Sequence, residues 1–94
     1  MKSLGSSEDE LVGRWEMVQG RMTADETAQR IDWLVEHELT HVAADDSGWM
    51  NLYRDPLTGG YWELTYPQSE MHGGGPPKLT RLDEGEARNK YHLR

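Results

Sequence analysis

His37-Glu38-Leu39-Thr40-His41 is the stretch of this chain whose residue types and spacing come closest to a catalytic motif. H-E-x-x-H on a helix sets two imidazoles on one face to bind Zn²⁺, with the Glu as general base. That chemistry requires the helix to run through His41. Thr40 and Val42 instead alternate with their neighbours in the manner of a strand, which would part the two His by about 13 Å at Cα. A third ligand would have to come from His72, His92 or a carboxylate, and no second motif marks one. A small zinc-dependent hydrolase is therefore the alternative reading, and solvent-exposed His side chains without a metal the favoured one.

His72-Gly73-Gly74-Gly75 has the composition of an esterase oxyanion loop, but no G-x-S-x-G nucleophile elbow accompanies it. No G-K-[ST] follows the glycines either, so they do not form a phosphate loop. The reading is a structural loop that passes close to other backbone, or a partner-binding loop with Met71 and His72 as exposed contacts. Glu63 and Glu70 could pair as acid and base, yet no cleft is implied around them. Arg54-Asp55-Pro56 reads as a turn whose Asp caps the loop. No catalytic residue, bound metal or cofactor is expected.

The elements that must position these residues centre on residues 49–77, which hold all four Pro and five of the ten Gly. Residues 49–55 and 61–67 are rich in aromatic and strand-forming side chains and flank Pro56-Leu57-Thr58-Gly59-Gly60. That pattern predicts an antiparallel hairpin. Trp15, Trp49 and Trp62 are expected in the core. Residues 12–18 and 21–23 read as strands around a Gln19-Gly20 turn. Residues 25–36 read as the main helix, with Thr23 as N-cap and Glu26 completing a capping box. Residues 39–43 and 78–82 read as further strands, and residues 83–91 as a short helix capped by Asp83 with Glu86 three residues on. The architecture predicted is α+β: an antiparallel sheet of about four to five strands, one main helix packed on it and a short C-terminal helix.

The run LYRDPLTGGYWELTYPQSEMHGGGPPKL, together with Arg30-Ile31-Asp32-Trp33-Leu34 before it and Lys90-Tyr91 after it, resembles the immunity protein 27 family of bacterial polymorphic toxin systems. The likeness covers most of the chain, and strings such as WELTYP and HGGGPP are long and biased enough to be specific. It implies a non-enzymatic antidote that binds and neutralises a cognate bacterial toxin domain.

Length and composition set the remaining bounds. The 94 residues, with no Cys and no Phe, fit one domain with a modest core, free of disulfides and thiol chemistry. Residues 1–7 are polar enough to predict disorder, and nothing there resembles a signal peptide. No run approaches a membrane span, so a cytoplasmic protein is expected. Net charge is −7, and residues 1–47 carry all of it, with 11 acids against four bases, while residues 48–94 carry six of each. Such a surface disfavours direct contact with nucleic acid and suits a basic protein partner, although it also serves solubility.

On the main helix, Ala24, Thr27, Ala28, Ile31, Leu34, Val35 and Glu38 form a largely apolar stripe. Asp25, Asp32 and Glu36 fall opposite it. Trp33 lies about 200° from Ile31, which makes it either an exposed binding anchor or a ring packed beneath the N-terminal segment. Asp45 and Asp46, in the turn after the next strand, extend the negative field. The candidate partner-binding residues are thus Asp25, Asp32, Trp33, Glu36, Asp45, Asp46, Met71 and His72.

Overall fold

The aromatic hairpin forms as its alternation and turn chemistry require. A computed structural model describes residues 1–68 and 75–93. In chain order the elements are β1 (Glu10–Val12), β2 (Trp15–Val18), β3 (Arg21–Ala24), α1 (Glu26–His37), β4 (Thr40–Ala44), β5 (Asn51–Arg54), β6 (Tyr61–Thr65), β7 (Lys78–Leu82) and α2 (Glu84–Tyr91). β5 pairs antiparallel with β6, placing Asn51 opposite Leu64 and Arg54 opposite Tyr61. Asp55 closes the loop between them: its Oδ1 accepts from Leu57 N at 2.9 Å and its carbonyl from Gly59 N at 2.7 Å.

Five strands form one antiparallel sheet in the order β1-β7-β6-β5-β4, and β2 with β3 forms a separate two-stranded ribbon. Side-chain alternation sends Leu11, Leu79, Leu64 and Trp62 to one face and Glu63, Leu52, Tyr61 and Leu82 to the other. α1 covers the first face, adding Ile31 and Leu34 to a core of Leu11, Leu39, Trp62, Leu64 and Leu79. α2 covers the second, where Ala87 and Tyr91 bury Leu52. The sheet is thus a middle layer with a helix on each side. The molecule extends 47 Å along its longest axis, and the ribbon meets α1 through β3.

Several sequence expectations are corrected here. α1 is capped by Asp25, not Thr23, and starts at Glu26, because the chain stays in β3 through Ala24, which pairs with Trp15. The Asp25 side chain accepts from Ala28 N at 2.8 Å. β1 and β2 are two strands where one was expected. They break at Gly13, where a Cβ would stand 2.7 Å from the Pro77 carbonyl and 2.9 Å from Ala28 Cβ. Trp49 is no core residue: it lies outside β5 and is 66% exposed. Trp15 is only half-buried, and of the three Trp expected inside, Trp62 alone is fully covered.

α2 follows its expected signals. Asp83 Oδ1 accepts from Glu86 N at 2.7 Å and Glu86 returns a contact to Asp83 N at 3.3 Å, a complete capping box. Residues 2–8, polar in sequence, run along α1. Arg30 donates to the carbonyls of Lys2 and Ser3 at 3.0 and 2.9 Å and forks onto Glu8 at 2.7 and 2.8 Å. Arg81 holds the carbonyl of Glu8 from the sheet side at 2.7 Å and sits 4.7 Å from the centre of a Trp62 ring.

Candidate functional site

α1 does not shield its whole face of the sheet. It packs chiefly on β1 and β7 of the sheet and on β3 of the ribbon, and toward β4 the face grows more exposed. The register puts Arg81, Trp62, Tyr53 and His41 in one row across four strands on this face. Trp62 is covered, Tyr53 half-covered and His41 exposed, a gradient from core to surface. His41 Nε2 lies 2.9 Å from Asn51 Oδ1, and its ring meets that of Tyr53 edge-on at 5.2 Å.

Asp32 and Glu36 are exposed on α1, and the Asp32 charge reaches Tyr66 at the end of β6. Desolvation pushes the Asp32 carboxyl up, and the Glu36 charge one turn away adds to it. Burial raises the Tyr66 hydroxyl, again with a contribution from the Asp32 charge, and Tyr53 is raised by burial and by Tyr66. Tyr66 and Tyr53 both pack on the main core, and the Tyr53 ring meets His41, while the charges of Asp32 and Glu36 lie within electrostatic reach of Tyr66 and Asp32 respectively. The chemistry of these groups is acidic at the helix and aromatic at the sheet. Such groups fit cationic side chains, which gain from both carboxylates and ring faces.

The other expected contact residues fall elsewhere. Asp25 Oδ1 takes the backbone amides of Ala28 and Arg14, at 2.8 and 3.2 Å, about 10 Å along the helix from Asp32. Trp33 is half-buried: it packs on the main core, as does Leu4 of the N-terminal segment, and its ring centre is 6.2 Å from that of His37. Asp45 organises the β4–β5 turn, accepting from Ser47 Oγ at 2.8 and 2.9 Å and from Met50 N at 3.1 Å. Desolvation works to raise its carboxyl, but those bonds outweigh it and hold the group below the usual carboxylate range. Asp45 also feels Lys90 of α2, which puts it toward the opposite face of the sheet from Asp32. Asp46 is exposed beside it. Met71 and His72 lie outside the described residues.

Among the described residues the motifs form no catalytic arrangement, and Glu70 and His72-Gly73-Gly74 lie outside those residues. α1 ends at His37, with Glu38 as C-cap, so the two His of H-E-x-x-H do not share a helix face. His37 contacts Glu36 and Trp33 while His41 contacts Asn51 and Tyr53. Among the described residues, no group of three His, Asp or Glu side chains could hold a metal ion. Glu38 accepts from the Ser3 hydroxyl, a structural contact. Glu63 is buried, but Tyr91 and Lys90 occupy it. The cleft at the open end of β5–β7, about 500 Å³, mixes Arg54 and Arg81 with Asp83 and Glu84 and presents no single charge to a substrate.

Tyr53, Tyr66 and Asn51 were not singled out by sequence reasoning, and His41 was weighed there only as a zinc ligand. The signal available was alternation: Tyr53 and Asn51 share a strand face, but their closeness to His41 and Asp32 depends on register and helix placement.

The fold is that of a small α+β domain. A family model, Immunity protein 27, matches residues 17–83, and the chain belongs to this family, whose role is toxin-neutralising immunity. No curated protein and no solved structure matches it. No helix among the described residues is long and apolar enough to cross a membrane.

Proposed function

We propose that this protein neutralises one cognate toxin domain by stoichiometric occlusion, as a non-enzymatic inhibitor, with Asp32 and Glu36 on α1 at the centre of the contact. The observation that carries the reading is this pair. Two exposed carboxylates sit one turn apart, and a like-charge i,i+4 spacing costs a few tenths of a kcal/mol in the free protein. A partner's cations reverse that cost. The half-buried Tyr66, within reach of the Asp32 charge, and Tyr53 supply apolar area.

A basic groove is what an acidic inhibitor fits, so the toxin is proposed to act on nucleic acid, with the inhibitor standing where phosphates would. Asp46 extends the negative field, and Asp25 and Asp45 add charge while holding local structure. Action in the cytoplasm follows from that target. The zinc hydrolase reading gains nothing from the geometry of His37 and His41. The test is growth of cells expressing the toxin domain from the same locus together with wild type or with Asp32→Lys/Glu36→Lys. Wild type restores growth and the folded double variant does not. Full protection by the double variant would place the contact elsewhere.

A further inference from the structure

The sheet ends in two unlike edges. β1 is three residues long and opens with a charge, Glu10, which is the usual way an edge is blunted. β4 is five residues, Thr-His-Val-Ala-Ala, with no charged residue and no proline. Its one protective device is a register shift between His41 and Ala43, and Val42 within it is exposed. β4 pairs with β5 alone among the described strands.

The hydrogen-bond phase of that edge can be read from its end. Asp45 N donates to Met50 O at 2.9 Å while Met50 N turns to the Asp45 side chain, so 45 and 50 occupy a bonded position of the ladder through one of its two bonds. By the alternation of antiparallel ladders, Ala44 opposite Asn51 turns its N–H and C=O away from β5. An added strand would find a donor and an acceptor there.

Charge selects the occupant. Glu36 and Glu38 precede β4, and Asp45 and Asp46 follow it. Antiparallel pairing of two copies would bring the Glu end of each β4 beside the Asp end of the other, setting like charges together. The nearby cations relieve this only in part: Arg54 lies one strand inward, and Lys90, whose charge reaches Asp45, is ion-paired with Glu63. An extended segment with Lys or Arg on both flanks meets the opposite situation at each end.

We infer that the free edge of β4 takes up an extended, cation-flanked segment of the toxin as a sixth strand of the sheet. This rests on the toxin-binding reading above and adds its mode: backbone bonds supply affinity, and the flanking acids choose the segment. It also joins β4 to the aromatic groups already described, since the His41 ring meets that of Tyr53.

The probes are two synthetic peptides, Lys-Lys-Val-Thr-Val-Thr-Val-Lys-Lys and the same sequence with Glu in place of each Lys. Amide exchange is followed residue by residue in the wild-type protein. The Lys-flanked peptide is expected to slow exchange at Ala44 by roughly ten-fold or more, and the Glu-flanked peptide to leave it unchanged. Ala44→Pro removes the outward donor without touching the β4–β5 ladder and should weaken peptide binding roughly ten-fold. Unchanged exchange at Ala44 with saturating Lys-flanked peptide, or equal protection by both peptides, overturns the inference. So does protection of β4 that rises with protein concentration alone, which would mark a second copy as the occupant. Growth protection against the toxin is read separately. Its loss in wild type removes the toxin reading, whereas its persistence with β4 unprotected removes only the strand addition.

Discussion

The Tyr91 hydroxyl donates to Glu63 Oε2 at 2.6 Å between α2 and the sheet, and Lys90 Nζ reaches the same oxygen at 2.7 Å. Glu63 is among the most buried charged side chains of the fold, so its two donors are what make that burial tolerable. Burial and Glu63 together push the Tyr91 hydroxyl well above its ordinary range, so it remains a donor at any physiological pH.

Tyr91→Phe is expected to cost about 1–2 kcal/mol, the contribution of one hydrogen bond to a charged acceptor that keeps its other partner. Urea unfolding checks this, and the slope with denaturant should not change. A cost near zero would mean that α2 is held by its apolar contacts alone.

Glu8 sets a pH dependence. Hydrogen bonding from Arg30, working against desolvation, lowers its carboxyl from 4.5 to about 2. A depressed folded-state value stabilises above the unfolded value and is lost as pH falls through the folded one. Wild type should therefore lose stability between about pH 5 and pH 2 relative to Glu8→Gln. Thermal unfolding of both across that window tests it, and parallel curves would contradict the Arg30–Glu8 clamp.

Two glycines should respond to Ala with opposite signs. At Gly75 a Cβ would stand 2.3 Å from the Gln68 carbonyl oxygen and 2.5 Å from its carbon, both backbone atoms. Gly75→Ala is expected to destabilise by about 1–3 kcal/mol or more. Gly85 lies in α2 with only Asp83 Oδ1 nearby, at 3.4 Å. Gly85→Ala should stabilise by about 0.5–1 kcal/mol, since it removes unfolded-state freedom from a helical position. Calorimetric melting of the two variants reads both effects.

Where local chemistry decides an element, it was legible. The β5–β6 hairpin follows from alternation and a Gly-terminated loop, and α2 from Asp83 and Glu86. The close backbone approach expected of the Gly-rich loop is seen at Gly75. The misses share a non-local cause. Thr23 has the residue type of a cap, but it is paired with Glu16 in β3, and the cap passes to Asp25. Trp49 looks like core, but Ser47 and Asp45 hold the preceding turn, and Trp49 N itself donates to Ser47 Oγ at 3.1 Å. Asp32 and Glu36 could be placed together by helical period. Joining them to Tyr66, Tyr53 and His41, and finding β4 at an edge, requires the strand order, which no local window carries.

The charge argument predicts kinetics as well as affinity. Asp32→Lys/Glu36→Lys should slow association with the toxin domain and flatten its salt dependence, because steering acts on the encounter and is screened by salt. Stopped-flow association at low and high ionic strength reads this. Unchanged rates would move the contact away from α1.

The most direct measurement is a titration of toxin activity with this protein in the presence of a metal chelator. Occlusion by a non-enzymatic partner predicts that activity falls linearly and reaches its floor at one equivalent, and that both proteins are recovered chemically intact. Abolition of activity at a small fraction of an equivalent, or no inhibition at excess, would contradict the account.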